Sequence, residues 1–497
     1  MAGSVTRRSV LAGVMASVGG AAFADLPETS LFPQRRGGKP GETAPAAAGL
    51  IADADLTGIV TYVVADAATG QVIEGEGADL PVPPASVTKM VTSLYALETL
   101  GPGFRFATRV VATGPVQGGV VQGHLILVGG GDPTFDTDRM AGLVDQLVQA
   151  GITGVTGQFG VYAGALPQVG QIDAAQPDYV GYNPAVSGMN LNFNRVHFSW
   201  QRRDGGYALA MDARSERFVP PVDMATMVVA DRDLPLFAYE AGVQRDNWSV
   251  ARGALGREGS RWLPVRQPVY YAGEVFRWLA AGQGIVLPPA EAALAVPVGP
   301  DVARDQSGAL IGVLTDMLRF STNLTAEAVG LTASGLASLP HSAAAMTYWA
   351  RGAFGMTSNF VDHSGLGAGS QTSAADMVRV LVAAQDLHKG SLLPGILRDI
   401  GMRDDAGEVI EGHPVRVRAK SGTLNFVSGL AGFISPPGGR RLAFAIYAAD
   451  VPRRAAIGPD AMEDPQGGEA WTRRARTLQG RLISRWAELH GAAGAQL

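Results

Sequence analysis

Two of the four lysines in this chain sit close to serines, in Ser86-Val87-Thr88-Lys89 and in Lys420-Ser421-Gly422-Thr423. A serine hydroxyl becomes a nucleophile when a base takes its proton, and a lysine kept neutral in a dry, cationic setting can do this. Arginine cannot, because its guanidinium stays protonated in proteins. The contrast carries weight here: 36 of the 40 basic residues are arginine, and the rest are Lys39, Lys89, Lys389 and Lys420. On a helix Ser86 and Lys89 would share a face, with the N–H groups and positive dipole of the helix N-terminus near the seryl oxygen. Chance alone gives about 0.2 Ser-x-x-Lys pairs from 25 serines and four lysines. An exposed first-turn lysine remains the alternative for this motif taken alone. On a strand, Lys420 and Gly422 would share one face and Ser421 and Thr423 the other. Gly422 would let a ligand backbone come close, and the hydroxyls with a lysine suit a carboxylate. A solvent-exposed strand end is the plainer alternative. Ser321-Thr322-Asn323 follows a helical stretch and by itself reads as an N-cap signal.

These motifs need elements to hold them. Ile59–Val64 and Gln71–Ile73 flank a turn at 67–70 and predict a hairpin. A helix is expected from Ser86 to Leu100, where Gly101-Pro102-Gly103 stops it. Between Thr108 and Arg304 short strand-like pieces dominate, among them Leu125–Val128, Tyr207–Met211 and Thr226–Val229. Helices are expected there at Arg139–Ala150 and Ala272–Ala281. Helical patterning returns at Leu310–Arg319, Ala326–Ala337 and Ala374–Gln385. Strands follow at Val415–Ala419, Val427–Ile434 and Leu442–Ala448, the last two joined by Ser435-Pro436-Pro437-Gly438-Gly439. A final helix spans Ala470–Leu489. Strands at both ends with helices between them predict one α+β domain, 48–107 with 305–497. A β-rich block over 108–304 interrupts it, with a nested subdomain near 129–190.

A chain of 497 residues is too long for one ordinary core. A net charge of -5 without a long basic run argues against nucleic acid as a partner. The absence of cysteine excludes disulfides, thiolate nucleophiles and zinc-thiolate sites. The seven histidines show no metal-ligand spacing. Residues 1–24 read as an export signal, with Arg7-Arg8, a short apolar run and Ala22-Phe23-Ala24. Thr6–Leu11 resembles a twin-arginine signal, with an ordinary Sec signal as the alternative. Residues 25–47 read as a flexible leader. No later segment is long enough to span a bilayer, so a soluble, periplasmic mature protein is expected.

Taken together and in order, Ser-x-x-Lys, Ser-x-Asn and Lys-Ser-Gly resemble the three-part signature of penicillin-binding proteins and serine β-lactamases. Pro83–Lys89, Leu97–Pro102, Leu127–Thr134, Asn323–Ala328, Asp362–Leu366 and Ala419–Gly432 resemble the D-alanyl-D-alanine carboxypeptidase/endopeptidases of the class C low-molecular-mass penicillin-binding proteins. The likeness covers most of residues 50–450, and the gap of about 230 residues between the first two motifs matches that class. It implies a penicillin-binding/serine β-lactamase-like transpeptidase domain, an antiparallel sheet with helices split by a large insertion. It further implies that Ser86 attacks the penultimate D-alanine carbonyl and Lys89 takes its proton. Ser321 and Asn323 would line the opposite wall, with Ser321 relaying a proton to the leaving amine. Lys420 would supply positive potential, Ser421 and Thr423 would hold the terminal carboxylate, and the N–H groups of Ser86 and Thr423 would form the oxyanion hole. Peptidoglycan stem peptides are the implied substrate, β-lactams the covalent inhibitors, and no cofactor or metal is called for. Two departures stand out: Lys-Ser-Gly replaces Lys-Thr-Gly, and His363 replaces the first glycine of an Asp-Gly-Ser-Gly-Leu segment. His363 reads as a loop histidine without a catalytic role, and Asp362 as a loop hydrogen-bonding residue. The rival readings are a β-lactamase or esterase on the same fold, and a non-catalytic wall-binding protein.

Overall fold

The computed structural model describes residues 44–387, 389–403, 408–458 and 461–490. The expected export signal and residues 25–43 of the expected leader lie outside them. Ala47, the leader's expected last residue, already opens a helix, Ala47–Asp53.

Both halves of the α+β unit meet in one antiparallel sheet of six strands. Its order is Arg398–Ile400, Arg416–Leu424, Val427–Ser435, Leu442–Ala449, Ile59–Asp66 and Val72–Glu76. Leu442–Ala449 is buried at every position because the sheet is covered on both faces. The period of two sorts its side chains. Ala443, Ala445 and Tyr447 join the core with Met90, Leu94, Leu314, Val329 and Met377. Leu442, Phe444 and Ile446 join Leu478, Leu482 and Trp486 on the other side. Helices Thr88–Leu100, Leu310–Phe320, Asn323–Ser334 and Ala374–Ala383 thus cover one face, and Gly468–His490 with Ala47–Asp53 covers the other. In the long C-terminal helix, Leu478, Leu482 and Trp486 recur every four residues, which makes the apolar stripe that docks it.

Residues 107–306 build separate sheets around a second core, with Phe159, Trp248, Tyr271 and Phe276 at its centre. The largest is five-stranded, in the order Ala290–Ala292, Phe159–Tyr162, Leu125–Val128, Ala107–Ala112 and Asp301–Gln306. Its last two strands pair antiparallel with Gln306 opposite Ala107, so the chain leaves and re-enters the α+β unit at adjacent points. The stretch 129–190 does not form a core of its own. Leu143, Phe159 and Tyr179 belong to the second core, while Leu166, Ile172 and Val186 pack on Ala328, Leu331 and Leu366 of the α+β unit.

Most expected elements occur within a few residues of their expected ends. Two differences bear on the site. The strand expected to stop at Ala419 continues to Leu424, because Lys420–Leu424 pair with Val427–Ala431. The helix expected from Ala326 begins at Asn323. A helix over Leu339–Phe354, not foreseen in an alanine-rich stretch, starts where the Ser338 hydroxyl accepts the His341 N–H.

Trp486 is fully buried, packs against Tyr62 and Phe444, and donates its indole N–H to Glu74 at 2.9 Å. Trp486→Ala is expected to lower unfolding free energy by about 3–5 kcal/mol. Denaturant titration checks this, and a loss below 1 kcal/mol would show that the helix does not depend on this anchor.

Candidate active site

Ser86 sits in a single 3-10 turn, Ala85–Val87, that leads into the Thr88–Leu100 helix. Ala85 is held at φ +47°, a left-handed conformation that costs a residue with a Cβ about 1 kcal/mol. Its neighbours enforce it. Gly365, itself at φ +77°, lies so close that an added Cβ would collide with the Ala85 carbonyl. Gly422 closes from the strand side: a Cβ there would stand 2.7 Å from Pro84 O and 2.9 Å from Ser86 N. Gly422 therefore permits a close approach by the chain's own Ala85–Val87 turn.

The Lys89 side chain is completely buried and reaches three oxygens: Ser86 Oγ at 3.0 Å, Asn323 Oδ1 at 2.7 Å and the Ser364 carbonyl at 2.8 Å. Burial pulls its pKa down to about 8, against the opposing pull of the Glu327 and Asp362 carboxylates. Two of the three partners can only accept hydrogen bonds. A neutral amine satisfies both with its two N–H groups and turns its lone pair to the Ser86 hydroxyl.

The second motif owes its shape to a break between helices. Leu310–Phe320 ends at Ser321, which adopts φ +60°, and a new helix begins two residues later at Asn323. The capping expected for this motif does not occur, since Thr322 makes no side-chain cap bond. Instead the Ser321 hydroxyl accepts a hydrogen bond from Lys420 Nζ at 3.0 Å, and Asn323 Oδ1 accepts the one from Lys89 Nζ described above. Asn323 Nδ2 donates to the carbonyl of Tyr182, so residue 182 of the inserted block reaches the site.

Starting the helix at Asn323 places Glu327 one turn further along the same face. Glu327 is fully buried and accepts the backbone N–H groups of His363 at 2.9 Å and Ser364 at 2.8 Å. Burial first, and then the Asp362 charge, raise its pKa to about 8. Asp362 binds the loop from within, accepting the N–H groups of Gly365 and Gly367, as expected of a loop hydrogen-bonding residue. The two acids thus fix the peptide whose carbonyl Lys89 uses. Sequence reasoning missed Glu327, Ser364 and Tyr182. Only Glu327 left a signal, as a lone charge in the otherwise apolar run Leu324–Leu331.

The third motif lies on the sheet edge, where Ser421, Gly422 and Thr423 extend beyond the short neighbour Arg398–Ile400. Lys420 is buried and Thr423 exposed, the alternation expected of a strand. Burial, then the nearby Lys89 and Arg398 charges, drive the Lys420 pKa well below the usual lysine range. Among the described lysines Lys389 stands apart: it donates to the Glu98 carbonyl at the end of the nucleophile helix, which suits its cation to the helix dipole.

His363 is fully buried, and desolvation lowers its pKa to about 3, so the ring is neutral. Its Nε2 lies 2.7 Å from Ser342 Oγ, and the ring fills the space beside Gly330, where an added Cβ would stand 2.2 Å from its Cγ. The histidine that departs from the family pattern therefore fits a glycine in the facing helix. Gly330→Ala is expected to cost about 1–3 kcal/mol by overpacking, and adding His363→Gly in the same chain should recover most of it. Thermal or denaturant melts of the two single variants and the double variant read this. Equal losses from Gly330→Ala with and without His363 would show that the two do not press on each other.

With this geometry in place, comparison with known proteins becomes informative. Residues 45–465 match the family model described as D-Ala-D-Ala carboxypeptidase 3 (S13) family. The chain is 27% identical over 445 residues to carboxypeptidase DacB of Mycolicibacterium smegmatis, covering 83% of this chain and 80% of the relative. It is 26% identical over 461 residues to the D-alanyl-D-alanine carboxypeptidase of Actinomadura sp. strain R39, covering 80% and 79%. Penicillin binding protein 4 of Haemophilus influenzae shares the fold, with TM-score 0.70 at 17% identity over 88% of this chain and 99% of that one. The family match spans the Ser86 turn, residues 107–306, the Ser321–Asn323 break and the Lys420 strand, and the chain belongs to the D-Ala-D-Ala carboxypeptidase (S13) family of serine DD-peptidases.

Proposed function

We propose that Ser86 is the nucleophile and Lys89 its general base, acting on D-alanyl-D-alanine termini of peptidoglycan stem peptides. The observation that carries this reading is the Lys89 amine. Asn323 Oδ1 and the Ser364 carbonyl take its two N–H groups, and the remaining direction points at Ser86 Oγ. Ser86 Oγ attacks the carbonyl carbon of the penultimate D-alanine while its proton passes to Lys89 Nζ. Charge develops on the carbonyl oxygen, for which the N–H groups of Ser86 and Thr423 serve as donors, a contribution of about 3 kcal/mol in comparable sites. The C–N bond then breaks, and the departing D-alanine amine gains a proton through the Ser321 hydroxyl, which Lys420 holds. Water hydrolyses the Ser86 ester and restores the hydroxyl. Ser421 and Thr423, on the open edge beyond Gly422, hold the terminal carboxylate.

A β-lactam enters the same path, and its amide has no diffusing leaving group, so the acyl-enzyme persists. The H. influenzae protein with the same fold has been solved with a novel β-lactam. In this reading residues 108–304 form a domain inserted into the catalytic one and 1–24 direct export to the periplasm, where the substrate is found. Among the described residues no helix is long and apolar enough to cross a membrane.

Labelling by a fluorescent penicillin tests the assignment. Ser86→Ala is expected to take no label, and Lys89→Arg to acylate at least about a hundredfold slower, because charge without a removable proton does not replace the base. Normal labelling of either variant overturns its assigned role. Because the base must be neutral, the wild-type acylation rate should rise about tenfold per pH unit below 8 and level off above it. A rate flat between pH 6 and 9 would exclude Lys89 as the titrating base.

A further inference from the structure

We propose that Arg476, on the C-terminal helix, is a specificity-determining residue that reads the terminal carboxylate of the substrate together with Thr423. The inference rests on the functional reading above and extends it to a residue beyond the family match, which ends at 465. The helix Gly468–His490 is docked by Leu478, Leu482 and Trp486 on the face of the sheet away from the nucleophile helix. Near its start, Arg476 leans over the open edge of the Arg416–Leu424 strand and donates from Nη2 to Thr423 Oγ1 at 3.3 Å.

Three observations give this contact its meaning. First, the neighbouring arginines find acidic partners, Arg473 with Glu469 and Arg474 with Asp55. Arg485 does so too, with Glu74. Among the described residues no carboxylate pairs with Arg476, although a guanidinium offers five donors in a fork that suits one. Second, Thr423 is exposed at the place where the strand edge has no neighbour, one residue beyond the glycine that closes on Ser86 N. A carboxylate two bonds past the attacked carbonyl's leaving nitrogen would arrive along this edge. Third, accepting a bond from Arg476 orients the Thr423 hydroxyl so that its own O–H is free to donate outward. The guanidinium and the hydroxyl then present donors to one anion, and the unpaired positive charge adds attraction. Lys420, on the same strand, is buried and committed to Ser321. Arg476 is exposed beside Thr423, placed to meet an incoming anion before acylation.

The test compares a peptide ending in D-Ala-D-Ala as the free acid with the same peptide as its C-terminal amide. In Arg476→Ala, KM for the acid is expected to rise about tenfold, the scale of a solvent-exposed charge-assisted contact. The kcat should stay within about twofold and kcat/KM for the amide should not change, because the amide presents no charge to read. Arg476→Gln, which keeps a donor but no charge, should behave as Arg476→Ala, and Arg476→Lys should retain part of the discrimination. An unchanged ratio of acid to amide kcat/KM in Arg476→Ala or Arg476→Gln overturns the proposal, as does an equal fall for both substrates. Penicillin labelling of wild type at Ser86 keeps the two readings apart. A wild-type protein that neither labels nor cleaves the acid overturns the functional reading itself, and the Arg476 assignment with it.

Discussion

A single amine, shut away from water, organises this enzyme. The Lys89 amine touches an asparagine oxygen from one helix, a backbone carbonyl from a loop and the serine hydroxyl one turn before it. Asn323 and Ser364 lie more than 200 residues beyond Lys89, so the ammonium-sized hole between the three partners exists only when both halves of the chain have folded together. Desolvation makes the charged form of the amine unfavourable and brings its pKa down to about 8, as the proposed base requires. The surrounding core of apolar and small residues is thus part of the chemistry as well as of stability.

The same low dielectric would be intolerable for unpaired acids, and the structure answers with backbone. Glu327 and Asp362 each accept two main-chain N–H groups of the 362–367 loop, and so convert a glycine-rich turn into a fixed platform for the Ser364 carbonyl. Ala85 and Ser321 are both left-handed, the first in the turn that carries Ser86 and the second where the Leu310–Phe320 helix ends. Strain of this kind persists where tight neighbours over-determine the backbone. Gly365 and Gly422 are those neighbours for Ala85, and each is a glycine because nothing larger fits against the turn.

Much of this was legible in the sequence. The scarcity of lysine marked Lys89 and Lys420, and strand alternation put Lys420 and Thr423 on opposite faces, which the structure resolves as Lys420 buried and Thr423 exposed. The last strands and their hairpin followed from apolar runs bounded by proline and glycine, and the antiparallel sheet from the family resemblance. What escaped were contacts made by tertiary packing. Ser364 acts through its carbonyl, which every residue has, and Tyr182 does the same, so side-chain type carried no signal. Ser321-Thr322-Asn323 has the composition of a cap, and only the left-handed break at Ser321 shows that its polar atoms are turned to two lysines instead. The approach of Gly422 to the Ala85–Val87 turn escaped for a similar reason. A missing Cβ announces a close approach but does not say by what.

The antiparallel pairing of Ala107–Ala112 with Asp301–Gln306 also bears on how the chain finds its fold. Ile59 pairs with Ala449, about 390 residues downstream, one of the most sequence-distant strand pairings in the molecule. If the inserted block closes first, Gln306 is clamped beside Ala107 and the effective loop is roughly halved. Loop-closure entropy grows only logarithmically, so halving it is worth about 0.6 kcal/mol. The inserted block therefore contributes little to the stability of the catalytic sheet by shortening this path. Its effect is on order: a locally closed middle lets two distant ends meet as though the intervening chain were a short connection.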